Sequence, residues 1–124
     1  MAILVHGTTR QRAERIMASG PDPDFIEPGG GPKAENFSTC VEGGPFPLRT
    51  PQDYARRKAM GFPNEGGPVI LVMDIPDEIV ELAVDPVYLP LSQGIVQFDK
   101  GSGLEELLAA WSTIPKEIVS VENP

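Results

Sequence analysis

Apolar side chains fall in short blocks along this chain, and the period inside each block predicts its structure. Ile3-Leu4-Val5 reads as a short buried strand. Thr8 then offers a helix N-cap, with Gln11 at capping-box spacing. Ala13, Ile16 and Met17 share one face of the helix that follows, and Gly20-Pro21 stops it. Asn36 to Cys40 reads as a second strand. Thr50-Pro51 opens a second helix, which carries Tyr54, Ala55 and Ala59 and ends near Gly61. The run Pro68 to Asp74 is apolar without alternation, which predicts a central strand covered on both faces.

Asp77 to Ala83 fits a short helix capped by Asp77 or a strand equally well. Gly94 to Phe98 reads as a further strand. Leu104, Leu107, Leu108 and Trp111 fall at i, i+3, i+4 and i+7, one face of an amphipathic helix. Ile118 to Val121 closes the pattern as a last strand. Few and short helices among these strands predict an α+β fold. Its sheet is mixed, mainly antiparallel, rather than doubly wound.

The 124 residues suit a single domain, 1–124, with one core. Prolines and glycines cluster at Pro21 to Pro32, Gly43 to Pro51 and Gly61 to Pro68. The apolar segments between these clusters are too short to fold alone, so the clusters are loops within that domain. No internal repeat is present.

A net charge of −8 argues against non-specific nucleic-acid binding and against an anionic membrane surface. It leaves room for a small anionic ligand at one local site; otherwise the charge serves solubility. Cys40 is the only cysteine, so no intramolecular disulfide forms. The segment Met1 to His6 lacks the basic flank of a signal peptide, and the run Val69 to Met73 is too short to cross a bilayer. A cytoplasmic protein is the expectation.

His6 is the sole histidine, so a structural zinc site is not expected. No G-x-S-x-G elbow and no G-x-x-x-x-G-K-[ST] loop occur. Gly29-Gly30-Gly31 neither follows a strand nor opens a helix. By itself, His6 reads as a strand-end residue with a satisfied hydrogen bond. Trp111 completes the leucine stripe and reads as core. The run Arg56-Arg57-Lys58 reads as a solvated helix face. Asp74-Ile75-Pro76-Asp77 reads as strand exit plus cap.

The order of the segments says more. A strand leads into His6-Gly7-Thr8 and a helix; Phe37-Ser38-Thr39 follows, then a helix with Tyr54-Ala55, then an apolar strand. This succession, over residues 3 to 75, resembles the ADP-ribosyltransferase-like fold family. Ile114 to Ile118 is similar to that family's closing strand.

The resemblance implies NAD as substrate, held at His6, Gly7, Thr8, Phe37, Ser38 and Tyr54. His6 would hydrogen-bond the adenosine-side ribose, and Gly7 backbone groups would clamp the nicotinamide amide. Phe37 would stack on the nicotinamide ring. A carboxylate would stabilise the cationic transition state.

Two positions depart from the family's pattern. Phe37 stands where one branch has tyrosine, and Gln93 stands nearest the catalytic glutamate. The alternative carboxylates are Glu105 and Glu106, in the expected first turn of the Leu104 helix, and Glu117. The expectation is therefore a domain that binds NAD with weak or lost transferase activity, Gln93 and Glu105 being the catalytic candidates. The alternative is a non-catalytic module on the same fold that binds a protein partner.

Overall fold

The computed structural model describes residues 2–22, 36–44, 46, 49–83, 95–99 and 103–122. Among these residues five strands form one sheet: β1 (Ala2–Thr9), β2 (Asn36–Val41), β3 (Pro68–Ile75), β4 (Ile95–Asp99) and β5 (Lys116–Ser120). Their order is β4-β2-β1-β3-β5, and every neighbouring pair is antiparallel. The helices are α1 (Arg10–Ser19), α2 (Pro51–Gly61), α3 (Asp77–Val80) and α4 (Leu104–Ala109), the last continued by a 3-10 turn at Trp111–Thr113. The fold is thus α+β, with a wholly antiparallel sheet and short helices. No helix among the described residues is long and apolar enough to cross a membrane.

Alternation along the strands sorts side chains onto two faces. Leu4, Phe37, Leu71, Met73, Val96 and Phe98 line the first face, under Leu104, Leu107 and Trp111 of the α4 region, with Ile16 and Met17 of α1 alongside. Val5, Cys40 and Ile70 line the second, under Ala55 of α2. The run Pro68–Ile75 is therefore covered on both faces, as its unbroken apolar sequence required. Phe98, Leu4, Leu71 and Leu107 are fully buried, each contributing about 1.5–3 kcal/mol of transfer free energy. Trp111 is core, and its Nε1 donates to the carbonyl of Met17 (3.1 Å).

Several boundaries differ from those the pattern predicts. The first strand runs to Thr9, well past Val5. Thr8 pairs with Val69 and is fully buried, so it cannot cap a helix. Thr9 caps α1 instead, its hydroxyl accepting from the amide of Arg12 (3.4 Å). Thr50 caps α2 as expected, in a capping box with Asp53. Asp77 to Val80 resolves to one helical turn whose N-cap position is Pro76, so Asp77 is its first helical residue and not its cap. Gly20 ends α1 at φ 81°, a conformation that disfavours other residues, and a Cβ there would lie 2.7 Å from Leu108.

Candidate functional site at the fork of β1 and β2

The two central strands separate partway along their length. Their ladder pairs Leu4 with Val41 and Val5 with Cys40, and goes no further. Beyond it, β1 continues to Thr9 against β3 alone, and residues Asn36 to Thr39 of β2 continue against β4 alone. The ladder ends between His6-Gly7-Thr8 and Phe37-Ser38-Thr39, the two segments on which the resemblance was read.

His6 stands where the strands part. Its Nδ1 lies 2.8 Å from the carbonyl oxygen of Ser38. A carbonyl only accepts, so Nδ1 carries the hydrogen and the neutral tautomer has its lone pair on Nε2. The His6 ring packs on that of Phe37, with centroids 4.8 Å apart and planes tilted by 46°. Both are buried, at 7% and 5% exposure. Thr39, one residue along, bonds its hydroxyl to the carbonyl of Val96 (2.8 Å) and ties that prong to β4.

Gly7 has a packing role that the sequence reading did not foresee. A Cβ at this position would come within 2.0 Å of the carbonyl oxygen of Pro51. Glycine lets the first turn of α2 lie directly on β1. Its carbonyl accepts from Lys58 Nζ at 2.8 Å. That oxygen is already bonded within the protein, which reduces what Gly7 offers a ligand amide.

Lys58 corrects the expectation of a solvated basic run. It is only 4% exposed and reaches from α2 into the sheet, whereas Arg57 is exposed and Arg56 donates to the carbonyl of Glu122 (3.1 and 3.2 Å). A signal existed: Pro51, Ala55 and Lys58 fall at i, i+4 and i+7, one buried stripe. A lysine stem can lie along such a stripe while its ammonium finds oxygen at the end.

The remaining candidates are dispersed. Tyr54 is half-buried on α2, across the sheet from His6 and Phe37, and Ser38 is exposed. Glu105 and Glu106 are exposed in the first turn of α4, as their helix-end reading held. Glu117 is exposed on edge strand β5, two strands from β1 on the side away from the fork, roughly 10 Å across the sheet. Gln93 and Gly29-Gly30-Gly31 lie outside the described residues. No cluster of three or more His, Cys, Asp or Glu suited to a metal occurs among the described residues.

Cys40 lies beneath α2 at the last closed rung. Burial pushes its thiol up from 9.0 to about 11, and the nearby Lys58 ammonium offsets only part of that. The thiol is therefore neutral near pH 7 and a poor nucleophile. In native protein, Cys40 should react with a thiol reagent at least a hundredfold slower than in urea-unfolded protein at pH 8. The contribution of Cys40 to stability is complete below pH 9 and is lost as pH rises from 9 towards 11. Rapid labelling of the native thiol would contradict this burial.

No family model, no curated protein and no solved structure matches this chain, so its functional reading rests on the residues gathered at the fork.

Proposed function

We propose that this domain binds NAD or a related nucleotide at the fork of β1 and β2, in the manner of ADP-ribosyltransferase-like domains, with transferase activity weak or lost. One observation carries the reading. His6-Gly7-Thr8 and Phe37-Ser38-Thr39, about thirty residues apart in the chain, meet at the place where the central ladder stops. The end of the central ladder brings an oriented imidazole and the backbone of both segments to one point, and a ligand with ribose hydroxyls and an amide would have to compete there with the His6 and Lys58 contacts.

The charge required for catalysis is the weak element. Gln93, nearest the glutamate position in the sequence, would orient a hydroxyl but would stabilise a cationic transition state poorly. Losing one such electrostatic group costs about 3 kcal/mol, roughly two orders of magnitude in rate. Calorimetric titration of folded protein with NAD and with ADP-ribose, to millimolar ligand, tests binding. Heat is expected from at least one of them, and its absence from both would overturn the proposal. Nicotinamide release should be near background in the native protein and, if Gln93 faces the fork, rise in Gln93→Glu.

A second reading is favoured by a specific observation. His6, Phe37 and Thr8 fill the first face of the fork and are almost wholly buried. A non-catalytic protein-interaction module would keep such a filled site. It predicts no heat with either ligand in the same titration.

A further inference from the structure

The β1/β2 ladder stops in a particular way. The amide of Glu42 donates to the carbonyl of Ile3 (3.0 Å), and Val5 pairs with Cys40. Antiparallel register then makes Gly7 and Ser38 the next hydrogen-bonded rung. That rung is not closed. Each of its two carbonyl oxygens accepts from a side chain instead. Ser38 O is met by His6 Nδ1 and Gly7 O by Lys58 Nζ, both at 2.8 Å. The two side chains arrive from opposite faces of the sheet, His6 from the Phe37 side and Lys58 from α2.

An ammonium taken out of water loses its hydration, and its three N–H donors all require acceptors. An unbranched apolar residue would fill the same stripe beside Pro51 and Ala55 without that penalty, and the ladder would gain a rung. An amine at the broken rung does what an apolar side chain cannot: it occupies the Gly7 carbonyl and stands where β2 would otherwise return.

We propose that Lys58 is a positioning residue for the site at the fork. It engages the Gly7 carbonyl, prevents the Gly7–Ser38 rung from closing, and so holds His6-Gly7-Thr8 apart from Phe37-Ser38-Thr39. Its consequence for ligand binding rests on the nucleotide reading above; its consequence for the backbone does not.

The experiment uses the full chain, labelled with nitrogen-15, as wild type and as Lys58→Met. Amide exchange at Gly7 and the His6 imidazole nitrogen shifts are followed by NMR, and NAD is titrated into both proteins. In wild type the Gly7 amide should exchange at least tenfold faster than that of Val5 in the closed rung. In Lys58→Met, Gly7 should gain at least tenfold protection, the His6 Nδ1 shift should move as Ser38 O is claimed by the backbone, and NAD affinity should fall tenfold or more. Unchanged Gly7 exchange and His6 shifts in folded Lys58→Met would overturn the proposal, whatever happens to NAD.

If wild type binds no NAD, the nucleotide reading fails, and the exchange data still decide the role of Lys58. Should Lys58→Met fail to fold, wild type carries the test. A Gly7 amide as protected as that of Val5 would show the rung already closed and sink the idea; fast exchange at Gly7 beside slow exchange at Val5 would uphold it.

Discussion

Gly7→Ala is expected to destabilise the protein by about 3 kcal/mol or more, at the upper end of what overpacking costs. The reason is the nature of the obstacle. The new methyl group would meet the Pro51 carbonyl oxygen at 2.0 Å, its carbon at 2.9 Å and the Ala55 amide nitrogen at 3.1 Å. All three are backbone atoms in the first turns of α2, so no rotamer change relieves the contact. The helix itself must lift from β1, which loosens Ala55 and Lys58 on the same stripe. For a chain of this size the melting temperature should fall by roughly 10 °C. Gly61→Ala is the matched control, since a Cβ at Gly61 meets nothing within 4 Å. Urea denaturation of both variants reads the difference. A Gly7→Ala protein within a few tenths of a kcal/mol of wild type would show that α2 is not seated on β1 as described.

Glu65→Ala should cost about 3 kcal/mol, because it strips a buried guanidinium of its carboxylate. Arg12 is buried at the start of α1, and its Nε lies 2.8 Å from Glu65 Oε1. The same oxygen accepts from the Thr9 hydroxyl at 2.8 Å. The guanidinium also lies over the Phe62 ring, 4.6 Å from its centroid. Around this pair the backbone of the α2–β3 connection caps α1, with Gln11 donating to the Glu65 carbonyl and Arg10 to that of Gly67.

Removing the carboxylate therefore leaves a buried charge and loosens a helix end together. The pair need not be a net stabiliser. Arg12→Met combined with Glu65→Leu should recover most of the loss, since an apolar replacement of both partners avoids their desolvation. A single and a double variant that lose the same stability in urea would contradict that account. The half-exposed Asp53–Arg56 contact at 3.8 Å is a different case, because solvent screens it and little stability should depend on it.

Both effects sit at positions whose residue type misleads. Gly7 reads as freedom of the backbone near a ligand, and the structure uses it to admit a helix. Arg12 carries no signal of burial in its own segment, and it is buried with Glu65, fifty-three positions away, folded onto it. Lys58 reads as part of a solvated run, though its spacing from Pro51 and Ala55 already put it on the inner stripe.

Local pattern was sufficient wherever a structure is decided by neighbours in the chain. The unbroken apolar run at Val69 to Met73 marked a strand covered on both sides. Thr50-Pro51 marked a helix start, and the Leu104–Trp111 spacing marked a core-facing stripe. These follow from strand and helix periods and from capping, which act over a few residues.

What the sequence could not determine depends on contacts across long separations. The N-cap moved from Thr8 to Thr9 because pairing with β3 kept Thr8 in the sheet. The strand order β4-β2-β1-β3-β5 came from pairings that no single segment encodes. The fork itself was invisible. His6 and Lys58 each looked ordinary alone, and only the tertiary structure set them, from opposite faces, on the two carbonyls of one missing rung. A hydrogen bond needs its partner within about 3 Å, and the sequence supplies the donor and the acceptor without the distance between them.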